Sequence, residues 1–193
     1  MPATLDETYE RILQEIPKVN RVHTHRLLQC LAVAVRPLRV QELAEVLAID
    51  FSVAKGIPKL DENLRWQNQE QAVMTACSSL IDVVDFRNSR MVQFSHYSVK
   101  EFLTFDRLGV SLVGPLRDHH ILLEPAHTTM AKACIGVLLH LKKPIINETM
   151  NKFPLADYAA KHFADDAGFR NVISHITNAV DNLLDADKPH FAI

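Results

Sequence analysis

His96 is the residue whose surroundings in the sequence most favour a chemical role. It is the last residue of a predicted strand, on which it alternates with Phe94 and Val92, so we expect its side chain to face inward. Ser98 and Glu101 have the spacing of a capping box, which predicts that a helix begins there. The free N–H groups of a helix N-terminus favour anions. His96 could therefore contact an anionic ligand, or it could bridge strand and helix, since an inward polar group needs a partner.

Other residue patterns that could support chemistry fail on spacing or on residue type. Gly109 and Gly114 have the separation of the glycines in a phosphate-binding loop, but Pro115 and Leu116 follow where Lys and Ser or Thr are required. No Gly-x-Ser-x-Gly motif is present to suggest a serine hydrolase. We therefore expect no catalytic residue in this chain, and we interpret the glycine pair as part of a linker.

The 10 histidines do not form a metal motif. His23 and His25 are too close in sequence to share one helical face, and the same holds for His119 and His120. His127 could join the second pair only if a loop and a helix converged, and no Cys pair or helical His pair would anchor the ion. We therefore predict surface histidines or hydrogen-bonded core histidines, and no metal site.

Composition indicates a globular protein. Of 193 residues, 48% are hydrophobic and 23% are charged, with a formal net charge of -2, so a nucleic-acid or anionic-membrane partner finds no support in the overall charge. The three cysteines are far apart and form no Cys-x-x-Cys pair. The N-terminus does not resemble a signal peptide, and no apolar run is long enough to span a bilayer. These features predict a soluble, cytoplasmic protein.

Hydrophobic periodicity predicts a mainly helical chain with one β-hairpin. A capping box formed by Thr4 and Glu7 opens the first helix, which Pro17 stops. Three further helices are expected before residue 80, with a loop over 50–68. The β-branched segments 80–86 and 91–96, separated by the polar residues 87–90, predict a hairpin with a four-residue loop, and another helix follows it. This order of helices around a hairpin is typical of a winged-helix module.

Past about residue 106 the sequence changes character. Gly109, Gly114 and Pro115 mark the linker. Three helices are expected beyond it, with apolar stripes of helical spacing that begin near Pro125, at Pro154 and at Val172. We therefore predict a winged-helix module followed by a helical connector.

Several long strings resemble the winged-helix region that follows the NACHT nucleotide-binding domain in fungal STAND-type NTPases. These strings are "TLDETYERIL", "RPLRVQELAEVLAID", "CSSLIDVV" and "VQFSHYSVKEFL", and the module is also known as the GPI inositol-deacylase winged helix. The later strings "LLEPAHTTMAKACIGVLLHL" and "FPLADYAAKHFADDA" resemble the connector between this module and C-terminal ankyrin or similar repeats. The resemblance implies three parts: an N-terminal helix over 1–18 that ends a preceding helical domain, a winged helix over 19–106, and a connector over 107–193.

The resemblance also implies a function. Such a chain would be a non-catalytic regulatory module that couples the nucleotide state of an upstream NACHT domain to downstream repeats, and these two parts of the parent protein would be its partners. In related receptors a winged-helix histidine contacts the β-phosphate of ADP, and "FSHYSVKEFL" carries this role onto His96. The contact requires the upstream domain, so we expect no cofactor in this chain alone and ADP or ATP in the parent.

The alternative function is a stand-alone winged helix that binds nucleic acid. Residues 67–86, which include the would-be recognition helix, contain no Lys or Arg and carry Glu70, Asp82 and Asp85. Phosphate contacts normally supply much of the affinity for DNA. Only Arg87 and Arg90, at the tip of the predicted hairpin, could touch a nucleic-acid backbone, so we expect nucleic-acid binding to be absent.

Overall fold

The computed structural model describes residues 4–52, 56–105, 119–141 and 147–185. These residues are mainly helical with two small antiparallel sheets. The predicted linker with Gly109 and Gly114 lies outside the described residues. The helices are α1 (Leu5–Glu15), α2 (Arg21–Val33), α3 (Val40–Glu45), α4 (Gln69–Cys77), α5 (Tyr97–Thr104), α6 (Leu123–His140), α7 (Asn147–Lys152), α8 (Ala156–Ala167) and α9 (Val172–Leu183). The strands are β1 (Leu38–Arg39), β2 (Ile49–Asp50), β3 (Lys59–Leu60), β4 (Ile81–Phe86) and β5 (Ser89–Phe94).

Helix α1 begins with the predicted capping box. The Thr4 hydroxyl accepts from the Glu7 N–H at 3.2 Å, and the Glu7 carboxylate accepts from the Thr4 N–H at 2.9 Å. These contacts satisfy two N–H groups that the first turn would leave unpaired. The helix ends before Pro17 and buries Tyr9 and Leu13 against the rest of the molecule.

Helices α2 to α4 and the three-stranded sheet form the winged-helix module. The order along the chain is α2, β1, α3, α4, β4, β5, and the strands lie in the order β1-β5-β4. Leu38 of β1 pairs with Val92 of β5, and both side chains are buried. The short strand β1 therefore ties the hairpin to the helices, and the predicted fold class is confirmed.

The turn of the hairpin is shorter than predicted. Strand pairing continues to Phe86 and Ser89, so the loop contains two residues, Arg87 and Asn88, and not four. Both have positive φ, 48° and 62°, as a two-residue hairpin loop of the type I′ turn requires. Asn tolerates this left-handed conformation well, and the right-handed twist of the strands favours it. Polar Ser89 and Arg90 belong to β5, where they pair with Phe86 and Asp85 of β4.

The segment predicted as a loop over 50–68 contains secondary structure. Strand β2 pairs with β3, with Ile49 opposite Leu60, and a short 3-10 turn, Glu62–Leu64, follows. Asp61 begins that turn by accepting from the Asn63 N–H at 2.9 Å. The buried side chains of Ile49 and Leu60 place this small sheet against α6.

Helix α6 is the centre of the second half of the chain. It packs against α8 and α9 on one side and against α2 on another. Gly136 lies where α6 meets the small sheet, because a Cβ atom there would come within 3.3 Å of Ile49 Cγ2 and 3.4 Å of Pro58 Cβ. Four helices are described here, one more than the three predicted, since α7 precedes α8.

A single hydrophobic cluster spans both halves of the described chain. It contains Leu13 of α1, Leu28 of α2, Met130 of α6 and Tyr158 of α8, all fully buried. A smaller cluster between α6 and α9 includes Val172 and Ile176. The winged-helix module and the helical connector therefore share one core.

The three cysteines lie inside this core. Cys30, Cys77 and Cys134 belong to α2, α4 and α6 and are completely buried. Burial raises the pKa of all three thiols, that of Cys77 to about 12. Each thiol is therefore protonated and acts as a small apolar side chain.

Candidate functional site

His96 lies in the turn between β5 and α5. Strand β5 ends at Phe94, so the alternation that predicts an inward side chain stops before His96, and the side chain is exposed. The predicted cap is also wrong in detail. The N-cap of α5 is His96 itself, and its ring accepts from the backbone N–H of Ser98. The histidine therefore starts the helix and does not pack beneath it.

A short chain of hydrogen bonds fixes the His96 ring. Its Nδ1 lies 3.3 Å from the Ser98 backbone nitrogen and 2.6 Å from the Ser98 hydroxyl. The same hydroxyl lies 2.8 Å from the phenol oxygen of Tyr9 on α1. Because Nδ1 accepts from a backbone N–H, the proton of the neutral ring is assigned to Nε2. The protein therefore presents Nε2–H as a donor.

The Nε2 side of the ring faces away from these contacts. Among the described residues Nε2 has no hydrogen-bond partner. Tyr97 is 71% exposed, and its ring centroid lies 4.3 Å from that of His96. A fixed N–H donor beside an exposed aromatic ring and the first turn of a helix suits an anionic oxygen atom.

The position of His96 depends on two other segments. Ser95, before it, donates its N–H to the Leu80 carbonyl at 3.0 Å and its hydroxyl to the Ser79 carbonyl at 2.9 Å. On α5 the Phe102 ring lies 5.3 Å from that of Tyr9. The histidine is thus held where α1, the end of α4 and the hairpin meet.

Of the histidines considered for metal binding, His127 contacts a carboxylate and an aromatic ring. No group of three or more His, Cys, Asp or Glu side chains that could hold a metal ion occurs among the described residues. His127 Nδ1 lies 2.7 Å from Asp166 Oδ1, and its ring stacks on Phe169 with centroids 4.0 Å apart. His119 is buried and lies close to the start of α6. Sequence reasoning missed the His127–Asp166 pair because 39 residues separate its members.

The arginines at the tip of the wing are not both available to a ligand. Arg90 forms an ion pair with Glu70 of α4 and lies 3.6 Å from Asp85. Arg87 lies over the ring of Phe86, 5.1 Å from its centroid. The acidic side chains predicted to oppose DNA thus neutralise one of the two candidate phosphate contacts.

Buried carboxylates join the module to the connector. Glu45 on α3 is 1% exposed, pairs with Arg65 and accepts from the Leu155 backbone N–H at 2.7 Å. Burial raises the pKa of Glu45 despite these partners. Nearby, the Tyr158 hydroxyl accepts from the Val35 N–H at 3.1 Å. These contacts fix the connector helices to the winged helix.

Glu42 is a second buried carboxylate, and two arginines neutralise it. Arg36 makes two hydrogen bonds to it of 2.8 Å, and Arg39 donates from both its side chain and its backbone. Burial alone would raise the pKa of Glu42, but the hydrogen bonds from Arg36 and Arg39 outweigh it and the pKa is lowered. The group braces α3 against β1, which is a structural role that the spacing of these residues did not reveal.

Comparison with known proteins gives one family and one relative. A family model described as "GPI inositol-deacylase, winged helix domain" matches residues 9–112. The "Azaphilone pigments biosynthesis cluster protein L" of Monascus ruber is 30% identical over 173 residues, which cover 84% of this chain. The alignment covers 34% of that protein, so the chain spans about a third of its length. No solved structure matches. No described helix combines the length and the apolar character that crossing a membrane requires.

Proposed function

We propose that this chain, which belongs to the GPI inositol-deacylase winged helix domain family, is a non-catalytic regulatory module of a larger NACHT-type signalling ATPase. It couples the nucleotide state of an upstream domain to downstream repeats. The observation that carries the proposal is the outward Nε2–H of His96, held rigidly by Ser98 and Tyr9. Such a donor is placed to meet a ligand that another domain holds, and the ADP β-phosphate suggested by the sequence resemblance fits it chemically.

The residues of this chain would act by favouring one domain arrangement. When the upstream domain holds ADP, His96 donates to its phosphate and the closed arrangement gains a contact that the open one lacks. The Ser98 hydroxyl links this ring to Tyr9 of α1, the helix that leads toward the upstream domain. Loss or gain of the phosphate contact at His96 would therefore alter the hydrogen bonds that hold α1.

The connector then carries the movement onward. The Glu45–Leu155 and Tyr158–Val35 hydrogen bonds, together with the shared core, make the winged helix and the connector move as one body. A rotation of the winged helix would thus shift the connector, and with it the repeats that the family carries beyond it. Small differences at one contact become large displacements in this way.

The test compares two substitutions of His96 in the full-length parent protein. His96→Ala removes both the helix cap and the Nε2 donor. His96→Asn keeps a good capping residue and replaces the ring Nε2–H by an amide on a shorter side chain. We expect both variants to bind ADP at least about tenfold more weakly than the wild type, since a charge-assisted hydrogen bond is lost. Only His96→Ala should also lower thermal stability, by about 1 kcal/mol.

ADP affinity is measured by calorimetry and by the nucleotide retained on purification. Equal ADP affinity in the wild type and in His96→Asn would remove the sensor role. Tight and strongly salt-dependent binding of this chain to duplex DNA would instead favour the alternative, a stand-alone nucleic-acid-binding module. The Glu70–Arg90 ion pair at the wing argues against that alternative.

A further inference from the structure

A half-buried pocket lies where the first turns of α2 meet the middle of α6. Its volume is about 440 Å³, and its walls come from residues 21–29, residues 128–132, Phe51 and His119. The Thr129 hydroxyl donates to Gln29 Oε1 at 3.0 Å and joins the two helices at the pocket. None of its lining residues belongs to the hydrogen-bonded group of His96, Ser98 and Tyr9, so the two sites do not overlap.

Three cations line this pocket without a matching carboxylate. They are Arg21 and Arg26 of α2 and Lys132 of α6, and all three side chains are partly buried. Within the described part of the chain none of them has a carboxylate oxygen within 4.0 Å. The nearest influence of opposite charge is Asp50, which acts on Arg26 only at a distance. One oxygen of the Asp50 carboxylate, Oδ1, instead accepts from the N–H and the hydroxyl of Ser52, at 2.8 and 2.6 Å.

The other partly buried arginines of the described chain are arranged differently. Arg36 and Arg39 share Glu42, and Arg65 pairs with Glu45. Partial burial of neighbouring cations is unfavourable, because they lose hydration and repel one another, unless an anion compensates their charge. Burial also lowers the pKa of Arg26, because removal from water disfavours the charged form of the guanidinium. A concentration of positive charge in a protein of net charge -2 therefore calls for an external anion.

The remaining walls suit a small phosphorylated molecule. Arg26 lies over the Phe51 ring, 4.4 Å from its centroid, which holds the guanidinium in one orientation. The volume exceeds what one inorganic phosphate needs, and Phe51 and Val22 supply apolar surface beside the cations. A guanidinium can donate two parallel hydrogen bonds to two oxygens of one phosphate, and a lysine adds a positive point charge.

We infer that this pocket is a binding site for the phosphate groups of a small phosphorylated ligand, with Arg26 and Lys132 as the principal contacts from its two helices. The ligand bridges α2 of the winged helix and α6 of the connector, so it stabilises their packing. Both a soluble phosphate ester and a phosphorylated lipid headgroup share this chemistry.

The test uses this chain and isothermal titration calorimetry at low ionic strength. Pyrophosphate and ADP serve as soluble probes. The test variant is Arg26→Gln combined with Lys132→Gln, and the control, Arg87→Gln combined with Lys100→Gln, removes the same charge elsewhere. We expect the test variant to lose at least about tenfold in affinity for the better soluble probe while the control changes less than about twofold. Circular dichroism verifies that both variants remain folded.

A second arm separates the two sources of phosphate. Vesicles of phosphatidylcholine with and without a phosphoinositide are sedimented with the wild type and with both double variants. Binding to the phosphoinositide vesicles that only the test variant loses would identify a lipid headgroup as the ligand. The inference is overturned if no probe binds at millimolar concentration, or if the test and control variants lose affinity equally. Loss of binding on His96→Ala, with Arg26 and Lys132 irrelevant, would also overturn it.

Discussion

Asp166 is a carboxyl group inside the connector whose ionisation affects folding. One of its oxygens meets His127 at 2.7 Å, while the other is buried without a hydrogen-bond partner. Burial raises the pKa of Asp166 from 3.8 to about 6, although the hydrogen bond from His127 acts in the opposite direction. The folded protein therefore holds this proton more tightly than the unfolded chain does.

This raised pKa predicts a stability that falls as the pH rises. The stabilising effect of the proton is complete below about pH 4 and is lost as the pH passes about 6, because the unfolded chain then releases the proton more readily. Asp166→Asn is neutral at every pH. We expect it to match the wild type near pH 4 and to be more stable above pH 6, by up to about 3 kcal/mol.

Urea unfolding at several pH values measures this difference. The matched control is Asp165→Asn, because Asp165 is the neighbouring carboxylate and is largely exposed. Its stability should keep the pH dependence of the wild type, because the charge of Asp165 raises the pKa of Asp166 less than burial does. Parallel curves for Asp166→Asn and the wild type would show that Asp166 titrates normally.

At the residue scale, the sequence singled out His96 as a candidate but did not reveal how its side chain is oriented. The segment around His96 could be recognised from its neighbours, whereas its exposure depends on where β5 ends. That end is set by Ser95, whose N–H turns to the Leu80 carbonyl, a contact between residues 15 positions apart. The cationic pocket was equally hidden, since Arg26 and Lys132 meet only when α2 packs on α6.

Gly136 controls the approach of α6 to the small β2–β3 sheet. A first added carbon would lie 3.3 Å from Ile49 Cγ2, and a branched side chain would collide further with Pro58. We expect Gly136→Val to destabilise the protein by about 1–3 kcal/mol, because the sheet must move away from the helix.

Gly136→Ala is the matched control for this effect. It gains about 1 kcal/mol of helix propensity, which offsets the crowding against a side chain that can shift slightly. Urea unfolding of the two variants separates helix propensity from steric crowding. Equal stability of Gly136→Val and Gly136→Ala would mean that α6 and the sheet are not in close contact.

At the element scale, long periodic segments were predictable and short ones were not. The capping box of α1 and the β-branched, apolar residues of β4 were both visible in the sequence. Strands β2 and β3 have two residues each, so no alternation could distinguish them from a loop. The hairpin turn was overestimated because Ser89 and Arg90 are polar, although they pair with Phe86 and Asp85.

The shared core predicts that the whole molecule unfolds in one step. Helix α6 packs on α2, and buried residues of both halves touch in one cluster. Separating the winged helix from the connector would expose apolar surface on each, so neither half should persist when the other unfolds. Differential scanning calorimetry should therefore show a single transition.

Two probes can check this cooperativity independently. Far-ultraviolet circular dichroism follows the helices of both halves, and the fluorescence of Trp66 reports the segment before α4. Their transitions should coincide. Two separate calorimetric peaks, or a displacement between the two probes, would show that the halves fold as separate units.

At the scale of the whole molecule, the order of the elements identified the winged helix, whereas the sequence did not reveal that one hydrophobic cluster spans both halves of the described chain. The predicted boundary between residues 106 and 107 lies outside the described residues and stays a prediction. The contacts that join the halves, such as Glu45 to Leu155, connect positions 110 residues apart. Local patterns carry no information about such pairs.

The three buried cysteines can report local opening of the helices that contain them. A thiol reagent cannot reach Cys30, Cys77 or Cys134 while α2, α4 and α6 stay packed, and their raised pKa keeps the reactive thiolate scarce. The rate at which each sulfur is labelled therefore counts how often its own helix opens. Because the three helices occupy different parts of one core, the three rates together would map which region of the core opens first.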